Sequence, residues 1–207
     1  MTAPSSTPDA VSTSPLLVEL TTILKPLDLG TLFPQVQPLE VELGCGDASF
    51  LLEYARRHPE TNFIGVERLL GRLQKLDRKG RRLGLTNLRG VRIESTYLLQ
   101  YLLPPESVSA LHIYFPDPWP KKKHHKNRLI NDTFPAVAYN ALVSHGLIYL
   151  RTDDLDYFQQ MNEVMGAAKG FVRAETPPAL AEVVTDFEKF FNAQGIPTQY
   201  TAFRRRD

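Results

Sequence analysis

The chain has 207 residues, 43% of them hydrophobic and 23% charged, with a formal net charge of +1. That is enough for one globular domain with a sizeable core. The single cysteine, Cys45, excludes an internal disulfide, and the lack of a long uncharged apolar run excludes a membrane-spanning helix. The N-terminus lacks the basic-then-apolar order of a signal peptide, so the expected location is the cytoplasm.

Residues 1–15 are rich in Ser, Thr and Pro and are expected to form a disordered tail, leaving 16–207 as a single domain. A short helix is expected over Leu16 to Leu24. From Leu39 the pattern alternates. Leu39 to Leu43 reads as a strand and Gly44-Cys45-Gly46 as a turn. Ala48 to Arg57 reads as a helix with Phe50, Leu51, Tyr54 and Ala55 on one face. Asn62 to Glu67 is a second strand, followed by a basic helix over Leu69 to Leu83 with Leu69, Leu73 and Leu76 on its apolar face. Strands follow at Leu88 to Ile93 and Val108 to Phe115, a helix at Phe134 to Leu142, a strand at His145 to Leu150 and a helix at Leu155 to Ala168. Beyond Phe171, extra strands and a loop are expected. Strands alternating with helices predict an α/β fold, a mostly parallel sheet with helices on both faces.

In such sheets ligands bind beyond the C-terminal strand ends. Glu42, Gly44 and Gly46 fall there, but the turn lacks the third glycine of a dinucleotide site and the lysine of a P-loop. Glu67 ends the next strand, placed either to accept from two ribose hydroxyls or to favour the dipole of the following helix. An acid at the turn itself would repel a pyrophosphate and suit a cationic ligand such as a sulfonium amino acid, which favours S-adenosylmethionine over NAD. The loop Pro116-Asp117-Pro118-Trp119-Pro120 holds an acid and an aromatic ring on a proline-stiffened backbone. Trp119 offers a stacking surface for a base, and Asp117 an acceptor for the donor edge of guanine. Asp153 lies at another strand end, as a ligand contact, a helix cap or both.

Charge is clustered despite the neutral sum. Arg68 to Arg92 holds nine Lys/Arg and one acid, Lys121 to Arg128 five and none, and the chain closes on Arg204, Arg205 and Arg206. These clusters either meet phosphates or form solvated faces. Neighbouring His124 and His125 do not converge readily on one ion, and no cysteine stands beside them, so no metal site is expected.

With these pieces in place, the chain resembles the bacterial tRNA (guanine-N7)-methyltransferase family over roughly residues 25–203. Phe115-Pro116-Asp117-Pro118-Trp119-Pro120-Lys121-Lys122-Lys123-His124-His125-Lys126 is similar to the family signature. Val41 to Gly46 is similar to its cofactor motif and Ile64 to Glu67 to its ribose-binding strand end. Thr152-Asp153, Thr185-Asp186-Phe187-Glu188 and Gly195-Ile196-Pro197 are similar to its later motifs. The resemblance implies a Rossmann-like class I methyltransferase that moves a methyl group from S-adenosylmethionine to guanine 46 of the tRNA variable loop. It implies Asp117 as the catalytic residue. It implies cofactor contacts from Glu42, Gly44, Gly46, Glu67 and Asp117. At the third strand end, where the family has an acid for adenine, Glu94 and Ser95 are both candidates. It implies substrate contacts from Lys121, Asp153, Thr185, Asp186, Phe187 and Glu188, and RNA contacts from Lys123, His124, His125, Lys126, Asn127 and Arg128. The expected partner is tRNA, met by a monomer or homodimer. Two other readings are a methyltransferase acting on an exocyclic amine of a base and a catalytically silent tRNA-binding module.

Overall fold

The computed structural model describes residues 14–207; the first thirteen residues of the expected tail lie outside the described residues. Eight strands form one sheet in the order β1-β4-β3-β2-β5-β6-β8-β7. They are β1 (Leu17–Val18), β2 (Leu39–Leu43), β3 (Asn62–Glu67), β4 (Leu88–Arg92), β5 (Val108–Tyr114), β6 (Leu142–Thr152), β7 (Phe171–Ala174) and β8 (Gln199–Arg205). The pairs from β1 to β6 are parallel, and β8 runs antiparallel to both β6 and β7.

Eight helices form among the described residues, the four longest of them where hydrophobic periodicity predicts them. They are α1 (Leu29–Leu32), α2 (Ser49–Arg57), α3 (Leu70–Arg82), α4 (Ser95–Tyr97), α5 (Phe134–Ala141), α6 (Leu155–Ala167), α7 (Pro178–Ala181) and α8 (Asp186–Asn192). A π turn over Leu98–Leu102 extends α4, and a 3-10 turn spans Lys122–Asn127. Each sheet face carries its own core cluster: Val41, Ile64, Val91, Leu111 and Ile148 on one side, Phe63, Leu88, Ala110, Tyr149 and Ala202 on the other. Burying both faces offsets the cost of ordering the chain.

Three expectations need correction. The stretch from Leu16 is an edge strand, not a helix: Leu17 pairs with Gly90, and the Leu16 amide donates to Asp77 Oδ1 at 2.7 Å. Leu16 is buried against Gly80, where an added Cβ would meet its Cδ1 at 2.5 Å, so any side chain at this position of α3 would force Leu16 to shift. Leu69 precedes α3 and is 57% exposed rather than packed. The segment after β7 holds two short helices that a loop was expected to fill.

Candidate active site

The strand order turns around between β2 and β5, since β3 and β4 lie on one side and β6 on the other. That reversal opens a crevice at the C-terminal ends of β2 and β5. Glu42 lies in β2 with His112 of β5 as its Cα partner, and the 116–120 loop leaves the end of β5. The sequence-predicted cofactor turn and chemical loop are thus brought to one edge.

At the β2 end, Gly44 has φ of 80°, a left-handed conformation that favours glycine. The amides of Gly44 and Cys45 both donate to the Val66 carbonyl at 2.9 Å, which fixes the turn against β3. Glu42 is buried, and its Oε2 has no hydrogen-bond partner among the described residues. Burial pushes its carboxyl up to about 8, against the pull of the Arg151 guanidinium. The Cys45 thiol is buried and also pushed up, by desolvation first and then by the nearby Glu42 and Glu67 carboxylates, so it is a packed neutral group.

Glu67 is buried at the end of β3, and its Oε1 accepts from the Arg68 and Leu69 amides at 2.7 and 2.9 Å. Among the described residues, its Oε2 is held only by Arg72 Nη1 at 3.4 Å. One oxygen thus secures the entry to α3, which is the helix-side role expected of Glu67. Glu94 is committed differently. Its two oxygens accept from the Thr96 and Tyr97 amides at 2.9 and 2.8 Å, capping α4.

The loop after β5 is strained at two bulky residues, Phe115 with φ of 51° and Trp119 with φ of 45°. Asp117 is exposed between them. The Trp119 ring meets His124 edge-on at 5.9 Å and is 37% exposed. What holds this geometry is Arg128, and here the structure corrects the expected RNA contact. Arg128 is 1% exposed. Its Nε donates to the Pro118 carbonyl at 2.7 Å, Nη1 to Gln160 at 2.7 Å and Nη2 to Asp156 at 2.6 Å, over the Tyr157 ring at 4.7 Å. It clamps the loop to α6, and its burial there keeps it away from a phosphate at the surface. The rest of the basic run stays outward: Lys121, Lys123, Lys126 and Asn127 are exposed, and His124 and His125 are half-buried.

Asp153 does not cap α6. That task falls to Asp154, whose carboxylate accepts from the Tyr157 amide at 2.7 Å, so the half-buried Asp153 carboxylate is not spent on the cap. Thr185 and Glu188 form a capping box at the start of α8. This corrects the expected substrate contact for Glu188, which is fully buried and binds Arg151 Nη1 at 2.8 Å, the Thr185 amide at 2.9 Å and the Tyr200 hydroxyl at 2.6 Å. Thr185 is likewise buried, with its Oγ1 accepting from the Glu188 amide. Asp186 is exposed, and the Phe187 ring, 51% exposed, stacks on Phe115 at 6.2 Å. The Asp186 amide donates to Ser49 Oγ at 3.2 Å, which joins α8 to the start of α2 beside the cofactor turn.

Sequence reasoning gave Arg151 no role. Its signal is an arginine directly after the apolar run 147–150, where burial requires a partner. Thr185-Asp186-Phe187-Glu188 also carries the Thr-x-x-Glu pattern of a capping box.

Residues 36–199 match a family model described as "Putative methyltransferase". A tRNA (guanine-N(7)-)-methyltransferase of Chromohalobacter salexigens is 40% identical over 75% of this chain, a stretch that spans 63% of that relative's length. One of Syntrophotalea carbinolica is 32% identical over 93% of this chain and 84% of its own. Among solved structures, TrmN from Thermus thermophilus superposes with a TM-score of 0.59 at 15% identity, covering 82% of this chain and 45% of that one. The 16S rRNA methyltransferase KamB gives 0.56 at 14% identity over 84% and 90%. These two likenesses establish the Rossmann-like methyltransferase fold, and the sequence relatives establish the lineage: the chain belongs to the tRNA (guanine-N(7)-)-methyltransferase family.

Proposed function

We propose that the chain transfers a methyl group from S-adenosylmethionine to N7 of a guanine in tRNA, guanine 46 of the variable loop by family resemblance. The observation that carries this reading is the buried, unpartnered Glu42 carboxylate at the sheet's switch point, beside the strained loop that presents Asp117. The residues fit the cofactor. Among the described residues, Glu42 Oε2 lacks the donor that an ammonium group would bring, and the space over Gly44 is open, with no atom beyond its chain neighbours within 4 Å of where a Cβ would stand.

Glu42 would hold the cationic amino-acid end and Glu67 Oε2 the ribose hydroxyls. The Glu94 carboxylate caps α4, which favours Ser95 over Glu94 as the contact for adenine. When bound, S-adenosylmethionine supplies an electrophilic methyl group on its sulfonium. Guanine N7 carries a free lone pair, so no base has to act first. The gain comes from alignment, and from the Asp117 carboxylate, which favours the positive charge growing on the base. Trp119 and Phe187 offer exposed rings for the base, and Lys121, Asp153 and Asp186 surround it with polar groups. Lys123, His124, His125, Lys126 and Asn127 would grip the phosphates. The partner is tRNA in the cytoplasm, met by a monomer or homodimer.

The test is incubation of the purified chain with unmodified tRNA and methyl-labelled S-adenosylmethionine, followed by mass spectrometry of the nucleosides. The expected product is 7-methylguanosine. A label on an exocyclic amine, or no transfer, would overturn the reading.

A further inference from the structure

Arg151 is a buried cation that the proposed chemistry does not employ. It sits at the end of β6 and is 1% exposed. Nη1 donates to Glu188 Oε2 at 2.8 Å and to the Val183 carbonyl at 2.9 Å, and Nη2 donates to the Leu180 carbonyl at 2.6 Å. One guanidinium therefore gathers the end of α7, the link to α8 and the first turn of α8 onto the sheet. It also lies over the Tyr114 ring at 4.2 Å, with the Tyr200 ring at 5.3 Å and the Phe50 ring at 5.7 Å. Its Cα partner on β5 is Tyr114, two residues beyond His112, the partner of Glu42. Arg151 thus occupies the same sheet face as Glu42, with only β5 between them.

We infer that Arg151 is a positioning residue serving both sides of the crevice: it docks the 180–188 segment against the sheet and sustains the charge of Glu42. The inference rests on the methyltransferase reading above. Arg151 stands between two carboxylates, hydrogen-bonded to Glu188 and acting through space on Glu42, whose carboxyl it pulls down against desolvation. In a low-dielectric interior such a field reaches across a strand. The other groups around Glu42 do not take over this task. The Tyr114 phenol of β5 and the Cys45 thiol of the turn are pushed up by burial and stay neutral. His112 of β5 spends its two ring nitrogens on Glu40 at 2.6 Å and Tyr114 at 2.7 Å. From the β3 side come Glu67, of like charge, and Arg72 of α3, which pairs with it. From α2 comes the apolar Phe50.

The charge balance gives two opposite predictions. Arg151→Met removes the cation and makes Glu42 harder to ionise. Glu188→Gln keeps the shape but frees more of the Arg151 field for Glu42, which then ionises more readily. Calorimetric titration of the full chain with S-adenosylmethionine across neutral and mildly alkaline pH reads both. Wild-type affinity is expected to climb with pH toward about 8 and then level. The climb moves to higher pH in Arg151→Met and to lower pH in Glu188→Gln, and each unit of displacement is about tenfold in affinity below the climb. Midpoints that stay at the wild-type value, or move in the same direction, overturn the inference. A wild type that fails to bind S-adenosylmethionine overturns the methyltransferase reading instead.

Thermal melts establish that each variant is folded. If Arg151→Met does not fold, Glu188→Gln and Arg151→Lys still decide. Arg151→Lys keeps the charge but loses the fork, so its midpoint stays near wild type while amide exchange over 180–188 accelerates. Unchanged protection there would contradict the docking role.

Discussion

Glu42 shows how one side chain can be costly to the fold and, in the proposed function, useful to the site. Its carboxyl rises from an ordinary 4.5 to about 8 because it is buried without a donor. Between those values the unfolded chain has released this proton while the folded chain still holds it. Ligand-free stability therefore falls as pH rises from about 4.5 toward about 8 and levels above. Glu42→Gln removes the titration. Melts at pH 4.5 and at pH 8 are expected to show the variant level with wild type at the lower value and more stable at the higher one; a gap independent of pH would contradict this. The same variant is expected to lose cofactor affinity, a trade of function against stability. The position of Glu42 was legible in the sequence, because an acid beside a glycine turn at a strand end is a local pattern. Its orphaned state was not, since that depends on the long-range placement of β5 and β6 beside β2 in the sheet.

At the scale of elements, the 3-10 turn Lys122–Asn127 and the residue that follows it divide two roles. Exposed Lys123 is free to meet phosphate, whereas Arg128 is locked under the loop by Pro118, Gln160 and Asp156. Lys123→Ala is therefore expected to reduce the salt dependence of tRNA binding, lowering the log–log slope by about 1. Arg128→Ala is expected to leave that slope unchanged while lowering the melting temperature and the methylation rate. Binding isotherms at several salt concentrations distinguish them, and equal slope changes would return Arg128 to the RNA face. In sequence the two residues look alike, because the partners of Arg128 lie 28 and 32 residues away on α6. For the same reason β1 read as a helix: its two residues owe their conformation to pairing with β4. The helices α7 and α8, of 4 and 7 residues, are too short to show a period. By contrast, β2 through β4 with α2 and α3 were readable because their apolar repeats are long and local.

For the whole molecule, the decisive feature is strand order. Only because β5 lies beside β2 does the Asp117 loop stand next to the strand end that carries Glu42. The crevice at this reversal is where an α/β sheet places its ligand, and α8 closes on it through the contact of the Asp186 amide with Ser49. The most direct measurement of this arrangement is single-turnover methylation of tRNA by Asp117→Ala, with dissociation constants for tRNA and S-adenosylmethionine measured on the same preparation. The predicted result is a rate lowered by about 100-fold or more, as for other groups that stabilise developing charge, with both affinities close to wild type. A rate that falls only in proportion to lost binding would contradict a role for Asp117 in the transfer itself.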